Sequence, residues 1–187
     1  MARTVDMRWL AMAAALALAT PFAQAADGAA ADGCSHFAWD VSHELTVMKQ
    51  TPQPVSAATK VSADVPLLQL DKVYELKLAP QASVTFAVKP GKPTLEDSAA
   101  AGLVHFRADK PGRYRVSITS GHWLDVVADQ QLIKSRDFTG SRECERPHKI
   151  VEYELPAAGE FTLQFSGSTA SSVILAITPV KAAPAAN

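Results

Sequence analysis

Apolar and polar residues alternate through much of the second half of the chain. The stretch Val104–Ile118 places apolar side chains at every second position on both sides of a short break ending in Gly112, and Val151–Phe165 aligns with it without a gap. A less regular copy spans Tyr74–Val88, with Ala82 where the others carry glycine. A period of two predicts a strand with one buried and one solvated face, and a turn glycine supplies positive φ. Each copy is therefore predicted to be a β-hairpin.

Further alternating runs extend this pattern to a whole domain. Strands are expected at Trp123–Ala128, at Gln131–Lys134 after a turn at Asp129-Gln130, and at Val173–Thr178. About nine strands result, and two sheets packed face to face are the usual way to bury so many one-sided ribbons. We therefore predict a mainly β fold, an antiparallel β-sandwich of jelly-roll type. A small closed barrel is the alternative.

The three copies also resemble a known family. The runs YELKLAPQASVTFAV, FRADKPGRYRVSI and VEYELPAAGEFTLQF share the alternation, and the last two carry an aromatic residue after the turn glycine. This pattern resembles the strands of bacterial pre-peptidase C-terminal-type domains, which are β-sandwich modules attached to secreted enzymes. The resemblance implies a sandwich fold and no particular activity.

The start of the chain predicts export. Residues 1–25 combine Arg3 and Arg8 with an apolar run and an Ala-Gln-Ala ending, which is typical of a secretory signal peptide cleaved after Ala25. No later segment has the roughly eighteen consecutive apolar residues of a transmembrane helix. The mature protein is therefore expected in the periplasm or outside the cell, without a transmembrane segment.

The remaining chain divides by composition. Residues 26–33 and 181–187 are rich in alanine without periodicity, and we expect them to be disordered. Residues 34–48 are expected to form an N-terminal amphipathic helix capped by Ser35. Residues 49–66 contain three prolines and are predicted to be an extended linker, and residues 67–180 are predicted to form the sandwich. The apolar side of the helix would consist of Phe37, Ala38, Val41, Leu45 and Met48.

Cysteine content and net charge narrow the classes of function. Cys34 and Cys144 are the only cysteines, and a lone pair in an oxidising compartment has one intramolecular connectivity. A disulfide between them is therefore predicted. The formal net charge of −1 at pH 7 provides no bulk field that would attract nucleic acid.

The polar side of the predicted helix suggests a metal site. His36, Asp40 and His43 would share this side, and two imidazoles with a carboxylate on successive turns can coordinate a divalent metal. The predicted disulfide would bring His148 toward them. The competing interpretation is an ordinary solvated helix face, which is polar without binding anything, and in that case no cofactor is expected.

A catalytic set is not recognisable in this sequence. It lacks a nucleophile elbow, and the HELTV run lacks the second histidine of a zinc protease. His105 and His122 belong to strands or their ends and are expected to be exposed and structural. A non-catalytic binding or accessory module is therefore favoured, with a protein or glycan partner in the cell envelope. The alternatives are a metal-binding protein and a carbohydrate-binding module, with Trp39, Trp123 and Asp125 as candidate ligand-binding residues.

Overall fold

The computed structural model describes residues 33–92 and 98–181, which form one α-helix and twelve β-strands. The predicted signal peptide (1–25) and most of the predicted disordered ends (26–32 and 182–187) lie outside the described residues. The helix is α1 (Ser42–Met48), and the strands are β1 (Gln53–Ser56), β2 (Leu67–Leu68), β3 (Val73–Lys77), β4 (Ala79–Pro80), β5 (Ala100–Ala108), β6 (Gly112–Ile118), β7 (Trp123–Ala128), β8 (Gln131–Ile133), β9 (Ser135–Gly140), β10 (Lys149–Leu155), β11 (Gly159–Ser168) and β12 (Ser172–Pro179).

The strands form two sheets that pack face to face. Their order is β1-β3-β12-β6-β10-β9 in the first sheet and β2-β5-β11-β7-β8 in the second, with β4 beside β5. The predicted mainly β sandwich with one helix is confirmed. Most neighbours are antiparallel, but β1 runs parallel to β3 and β2 parallel to β5. The chain visits the opposite sheet between the two members of each parallel pair, and such a crossover allows parallel pairing where a hairpin does not.

The two regular copies of the alternating motif are arches between the sheets, which corrects the hairpin prediction. β5 belongs to the second sheet and the following β6 to the first, and β10 and β11 are divided in the same way. The copies pair with each other instead, β5 with β11 and β6 with β10. Alternation cannot distinguish a hairpin from an arch, because both bury one side of each strand. The turn glycines do have the predicted positive φ, 139° at Gly112 and 153° at Gly159.

The third copy, Tyr74–Val88, is not a hairpin either. Its first half forms β3, but a 3-10 turn over Gln81–Ser83 follows, and Val84–Val88 contains no strand. This second half lies against the outer face of the second sheet, where the Val88 carbonyl oxygen accepts a hydrogen bond from Gln164 Nε2 at 3.1 Å. Ala82 does not supply the positive φ that the turn glycine gives the other copies.

Alternate side chains of both sheets fill the space between them. The core contains Leu76, Ile118, Leu163 and Leu175, each with no accessible surface. Between β5 and β11 the rings of Phe106 and Phe161 stack with their centroids 5.5 Å apart. Burying one such side chain contributes about 1.5 to 3 kcal/mol to stability. The layer of apolar side chains between the sheets therefore holds the two sheets together.

The N-terminal helix is shorter than predicted. It begins at Ser42 rather than near Ser35, and only a 3-10 turn occupies Gly33–Ser35. The residues between them are held by tertiary bonds, since Ala38 N–H donates to Thr139 Oγ1 at 2.9 Å. α1 then packs on the outer face of the first sheet through Val47 and Met48. Residues 33–48, called the N-terminal strap below, therefore cross this face as a mostly irregular segment.

The predicted linker, residues 49–66, also departs from the expectation in part. It contributes the edge strand β1 to the first sheet, and Ala58 pairs with Leu103 of β5 in the second sheet. Its prolines explain the low strand content, because proline cannot donate to a ladder and is tolerated on an edge. The segment is thus an integral part of the sandwich rather than a spacer.

Candidate functional site

The predicted disulfide is present and fastens the N-terminal strap to the sandwich. The sulfur atoms of Cys34 and Cys144 are 2.03 Å apart, and Cys144 is buried. Beside the bridge, the Ser141 hydroxyl donates a hydrogen bond to the Gly33 carbonyl oxygen at 2.6 Å. The start of the strap is therefore fixed to the loop that follows β9.

The two histidines of the proposed metal site take separate acidic partners. His36 Nδ1 lies 3.5 Å from Glu143 Oε2, with both side chains largely exposed. His43 Nε2 lies 2.8 Å from Asp71 Oδ1. His36 lies before α1 and His43 within it, so the two side chains are not on one continuous helix. The helical spacing that would have placed them on the same side is therefore absent.

Asp40 and His148 form hydrogen bonds with backbone groups. Asp40 Oδ1 accepts a hydrogen bond from Ser42 N–H at 3.0 Å, and this bond lowers the pKa of the Asp40 carboxyl. His148 lies in the loop before β10, where its N–H donates to the Ile118 carbonyl oxygen at 2.8 Å. Within residues 33–92 and 98–181, no three His, Cys, Asp or Glu side chains form a group that could hold a metal ion. The predicted four-residue site is therefore not assembled.

A buried ionic cluster joins the strap to the first sheet instead. Arg115 of β6 donates through Nε to Glu152 Oε2 at 3.0 Å and through Nη1 to Glu44 Oε1 at 3.3 Å. Its Nη1 also donates to the Asp40 carbonyl oxygen at 2.8 Å, and Glu44 Oε1 accepts a hydrogen bond from the Thr178 hydroxyl at 3.1 Å. Buried charges are stable only when paired and hydrogen-bonded in this way. The cluster is a clamp that docks α1 on the sheet.

A groove of about 680 Å³ opens beside this clamp, between α1 and the end of β12. Its lining includes His43, Arg113, Lys181 and the clamp residues Glu44 and Arg115. The buried charges on its floor neutralise one another, so they leave little to attract a charged ligand. The groove is a consequence of how the helix docks.

The two tryptophans among the described residues lie on different sheets and in different states. The ring of Trp39, in the strap, packs under the Arg115 guanidinium, with the guanidinium carbon 5.0 Å from the ring centroid. Trp123 begins β7 of the second sheet and remains 37% exposed. Trp123 thus has the free surface that stacking requires, while Trp39 belongs to the clamp region. Sequence reasoning treated the two alike.

Asp125 orients the exposed Trp123 ring. Its Oδ1 accepts a hydrogen bond from Trp123 Nε1 at 2.9 Å, and its Oδ2 accepts bonds from Gly91 N–H at 3.1 Å and Gln164 Nε2 at 3.3 Å. With only 7% of its surface exposed, this carboxylate has its oxygens occupied by three donors. It is therefore a positioning residue rather than a direct ligand contact. Burial, and to a smaller extent the negative charge of Asp125, raises the pKa of Tyr153.

At Gly91 the segment after Val88 lies so close to β7 that a side chain would not fit without a shift of its neighbours. A Cβ atom at this position would lie 2.9 Å from Asp125 Oδ1 and 3.4 Å from Leu132 Cδ1. Leu132 itself is 41% exposed. Trp123, Leu132 and Gly91 therefore form a continuous patch on the outer face of the second sheet, which we call the tryptophan face.

Two lysines border the tryptophan face. Lys92 Nζ lies 5.6 Å from the centroid of the Trp123 ring. Lys149 Nζ donates a hydrogen bond to the His122 carbonyl oxygen, directly before Trp123. Burial, and to a smaller extent the charge of Lys92, lowers the pKa of Lys149 to about 8. In the described part of the chain neither lysine takes part in an ion pair.

His122 is fully buried, which corrects the expectation that it is exposed. Its Nδ1 lies 2.6 Å from Ser120 Oγ, and its ring meets Phe165 edge-on at 6.2 Å between centroids. Burial, reinforced by the charge of Lys149, lowers its pKa to about 4. His122 has the same parity as the core residue Leu124, so continuing the alternation of β7 by one step would have placed it inside.

Sequence reasoning identified Trp123 and Asp125 but missed their partners. Lys92, Gly91 and Gln164 carry no motif, since they meet only because an irregular segment folds back over the second sheet. Lys149 offered a usable signal, because it shares the parity of the core-facing Val151 in β10.

No protein-family model matches this chain, and no curated protein matches it. None of the helices in residues 33–92 and 98–181 has the length and apolar character needed to cross a membrane. The function therefore has to be inferred from the side chains on the outer faces of the two sheets.

Proposed function

We propose that the protein is an exported, non-catalytic β-sandwich module that binds saccharides through the tryptophan face. One observation carries this proposal: the exposed ring of Trp123 is held by a buried carboxylate whose oxygens accept three hydrogen bonds. Aromatic rings bind ligands by offering a large apolar surface at low entropic cost. A ring that is already oriented avoids the ordering cost that weakens binding by mobile side chains.

Export to the periplasm or the cell exterior is supported by two independent features. The N-terminal residues have the composition of a secretory signal peptide. A disulfide such as Cys34–Cys144 is typical of proteins that fold in an oxidising compartment. The resemblance to sandwich modules of secreted enzymes agrees with this location and with an accessory role in the cell envelope.

A binding role fits the buried polar groups better than catalysis does. Ser120 and His122 form a hydroxyl–imidazole contact of the kind that activates a nucleophile. However, His122 has no accessible surface, and its pKa near 4 makes it a weak base at neutral pH. The acidic side chains of the clamp are likewise paired with Arg115 and buried away from any substrate.

A glycan array probed with the purified mature protein tests this function. We expect binding to at least one saccharide class, and we expect Trp123→Ala to weaken it by tenfold or more because the stacking surface is lost. Trp39→Ala is the matched control, since it removes the other described indole from the opposite sheet and should leave binding within twofold. If no saccharide binds, or if the two variants bind equally well, the proposal is wrong.

A further inference from the structure

Two lysines lie beside Trp123, and one of them, Lys149, is partly buried without an ion pair among the described residues. Lys149 is half-buried at the end of the sandwich, and its ammonium meets a neutral carbonyl oxygen rather than a carboxylate. Burying a charge without a counter-ion costs free energy. The other strongly buried cation described above, Arg115, has two glutamates as partners, so the chain does supply counter-ions where structure alone requires them.

A second lysine lies at the same place. Lys92 Nζ lies 5.6 Å from the centroid of the Trp123 ring, and its charge is close enough to disfavour the charged form of Lys149. The described acid that contacts the Trp123 ring is Asp125, whose carboxylate accepts hydrogen bonds from three neutral N–H donors but forms no ion pair with either lysine. Two neighbouring ammonium groups and an oriented aromatic ring therefore meet here, and neither ammonium forms an ion pair with an acid in residues 33–92 and 98–181.

We propose that the tryptophan face binds an anionic saccharide, with the sugar ring on Trp123 and a sulfate or carboxylate group between Lys92 and Lys149. This inference rests on the proposed saccharide-binding function and specifies its ligand. The ligand's anion would supply the ion-pair partner that neither lysine has among the described residues. Charge-assisted hydrogen bonds from ammonium groups to oxyanions are stronger than neutral ones, and the apolar ring face would select for a sugar rather than a bare ion.

The test compares a sulfated dextran oligosaccharide, uncharged dextran of the same length and inorganic sulfate by isothermal titration calorimetry. We expect the sulfated saccharide to bind at least tenfold more tightly than either of the other probes. Trp123→Ala and Lys149→Met should each weaken its binding by tenfold or more, and Lys92→Gln by threefold or more. Lys110→Gln, which removes an exposed lysine next to the β5–β6 arch, is the matched control and should change nothing.

Different failures have different meanings. Equal binding of uncharged and sulfated dextran, sensitive to Trp123 but not to the lysines, overturns the anionic ligand and leaves the saccharide function intact. Equal losses in the Lys110→Gln and Lys149→Met variants show non-specific charge attraction and overturn the inference. Binding of inorganic sulfate as tight as that of the sulfated saccharide also overturns it. If neither dextran nor any arrayed glycan binds, both the inference and the proposed function are wrong. Thermal unfolding of each variant, within a few degrees of the unsubstituted protein, shows that the fold is retained.

Discussion

The two outer faces of this sandwich handle charge in opposite ways. On the first sheet, the strap buries Glu44, Arg115 and Glu152 in direct contact, and Arg113 and Arg136 also contact Glu152, so each buried acid has a positive partner inside the protein. At the second sheet, Lys92 and Lys149, the latter reaching over from β10 of the first sheet, lie near an exposed indole without an ion pair among the described residues. Buried ion pairs of this kind are typical of a sheet face that another segment of the same chain covers. Lysines without an ion pair beside an oriented ring are what the proposed anionic saccharide would require.

Of the changes considered below, removing the disulfide should lower the free energy of unfolding the most. The bridge closes a loop with a sequence separation of 110 residues, and the chain-entropy account assigns such a loop about 5 kcal/mol of stability. A Cys34→Ala/Cys144→Ala double variant should therefore lose several kcal/mol in urea-induced unfolding. Because the bridge holds only the strap, saccharide binding at the folded tryptophan face should not change. A double variant that stays folded but no longer binds would show that the two faces are coupled.

Breaking the clamp should cost nearly as much. Arg115→Met removes the cation that pairs with Glu44, whereas Glu152 keeps its contacts with Arg113 and Arg136. Leaving one buried carboxylate unpaired costs about 3 to 5 kcal/mol. The free energy of unfolding from denaturant titration measures this loss. Arg107→Gln is the control, because its pair with Glu160 is exposed and such pairs contribute about 1 kcal/mol or less. Equal losses in the two variants would contradict the buried clamp.

The clamp and the tryptophan face also show which features of the structure the sequence pattern can predict and which it cannot. Alternation correctly predicted the sandwich, because the inward parity of residues such as Leu163 follows from strand geometry alone. It could not distinguish a hairpin from an arch, since that depends on which strand each ribbon pairs with. It also placed His36, Asp40 and His43 on one helix, whereas the disulfide and the Ala38–Thr139 hydrogen bond hold the strap in an irregular conformation. Arg115, Glu44 and Glu152 come from distant positions that only the fold brings together.

Acid should weaken the end of the sandwich that carries the lysines. The pKa of His122 falls from 6.5 to about 4 on folding, so the unfolded chain binds a proton at a higher pH than the folded protein. The stability contributed by the neutral imidazole is therefore complete above pH 6.5 and is lost as the pH falls toward 4. The loss amounts to at most about 3 kcal/mol. Urea unfolding from pH 7.5 to 4 measures it, and His122→Asn should remove this part of the slope. Identical slopes in the two proteins would contradict the assignment.

Truncating Asp125 should have the smallest effect on stability and a larger one on recognition. Asp125→Ala leaves three donors without their acceptor, on Trp123, Gly91 and Gln164, and an unsatisfied buried group costs about 1 to 3 kcal/mol. Asp137→Ala is the control, because Asp137 bonds only an exposed backbone N–H, and such surface changes stay within about 0.5 kcal/mol. The freed indole should also exchange its Nε1 proton faster in NMR spectra and bind saccharide more weakly. Weaker binding with an unchanged Nε1 exchange rate would show that Asp125 contacts the ligand directly, and the carboxylate would then be part of the binding surface rather than its support.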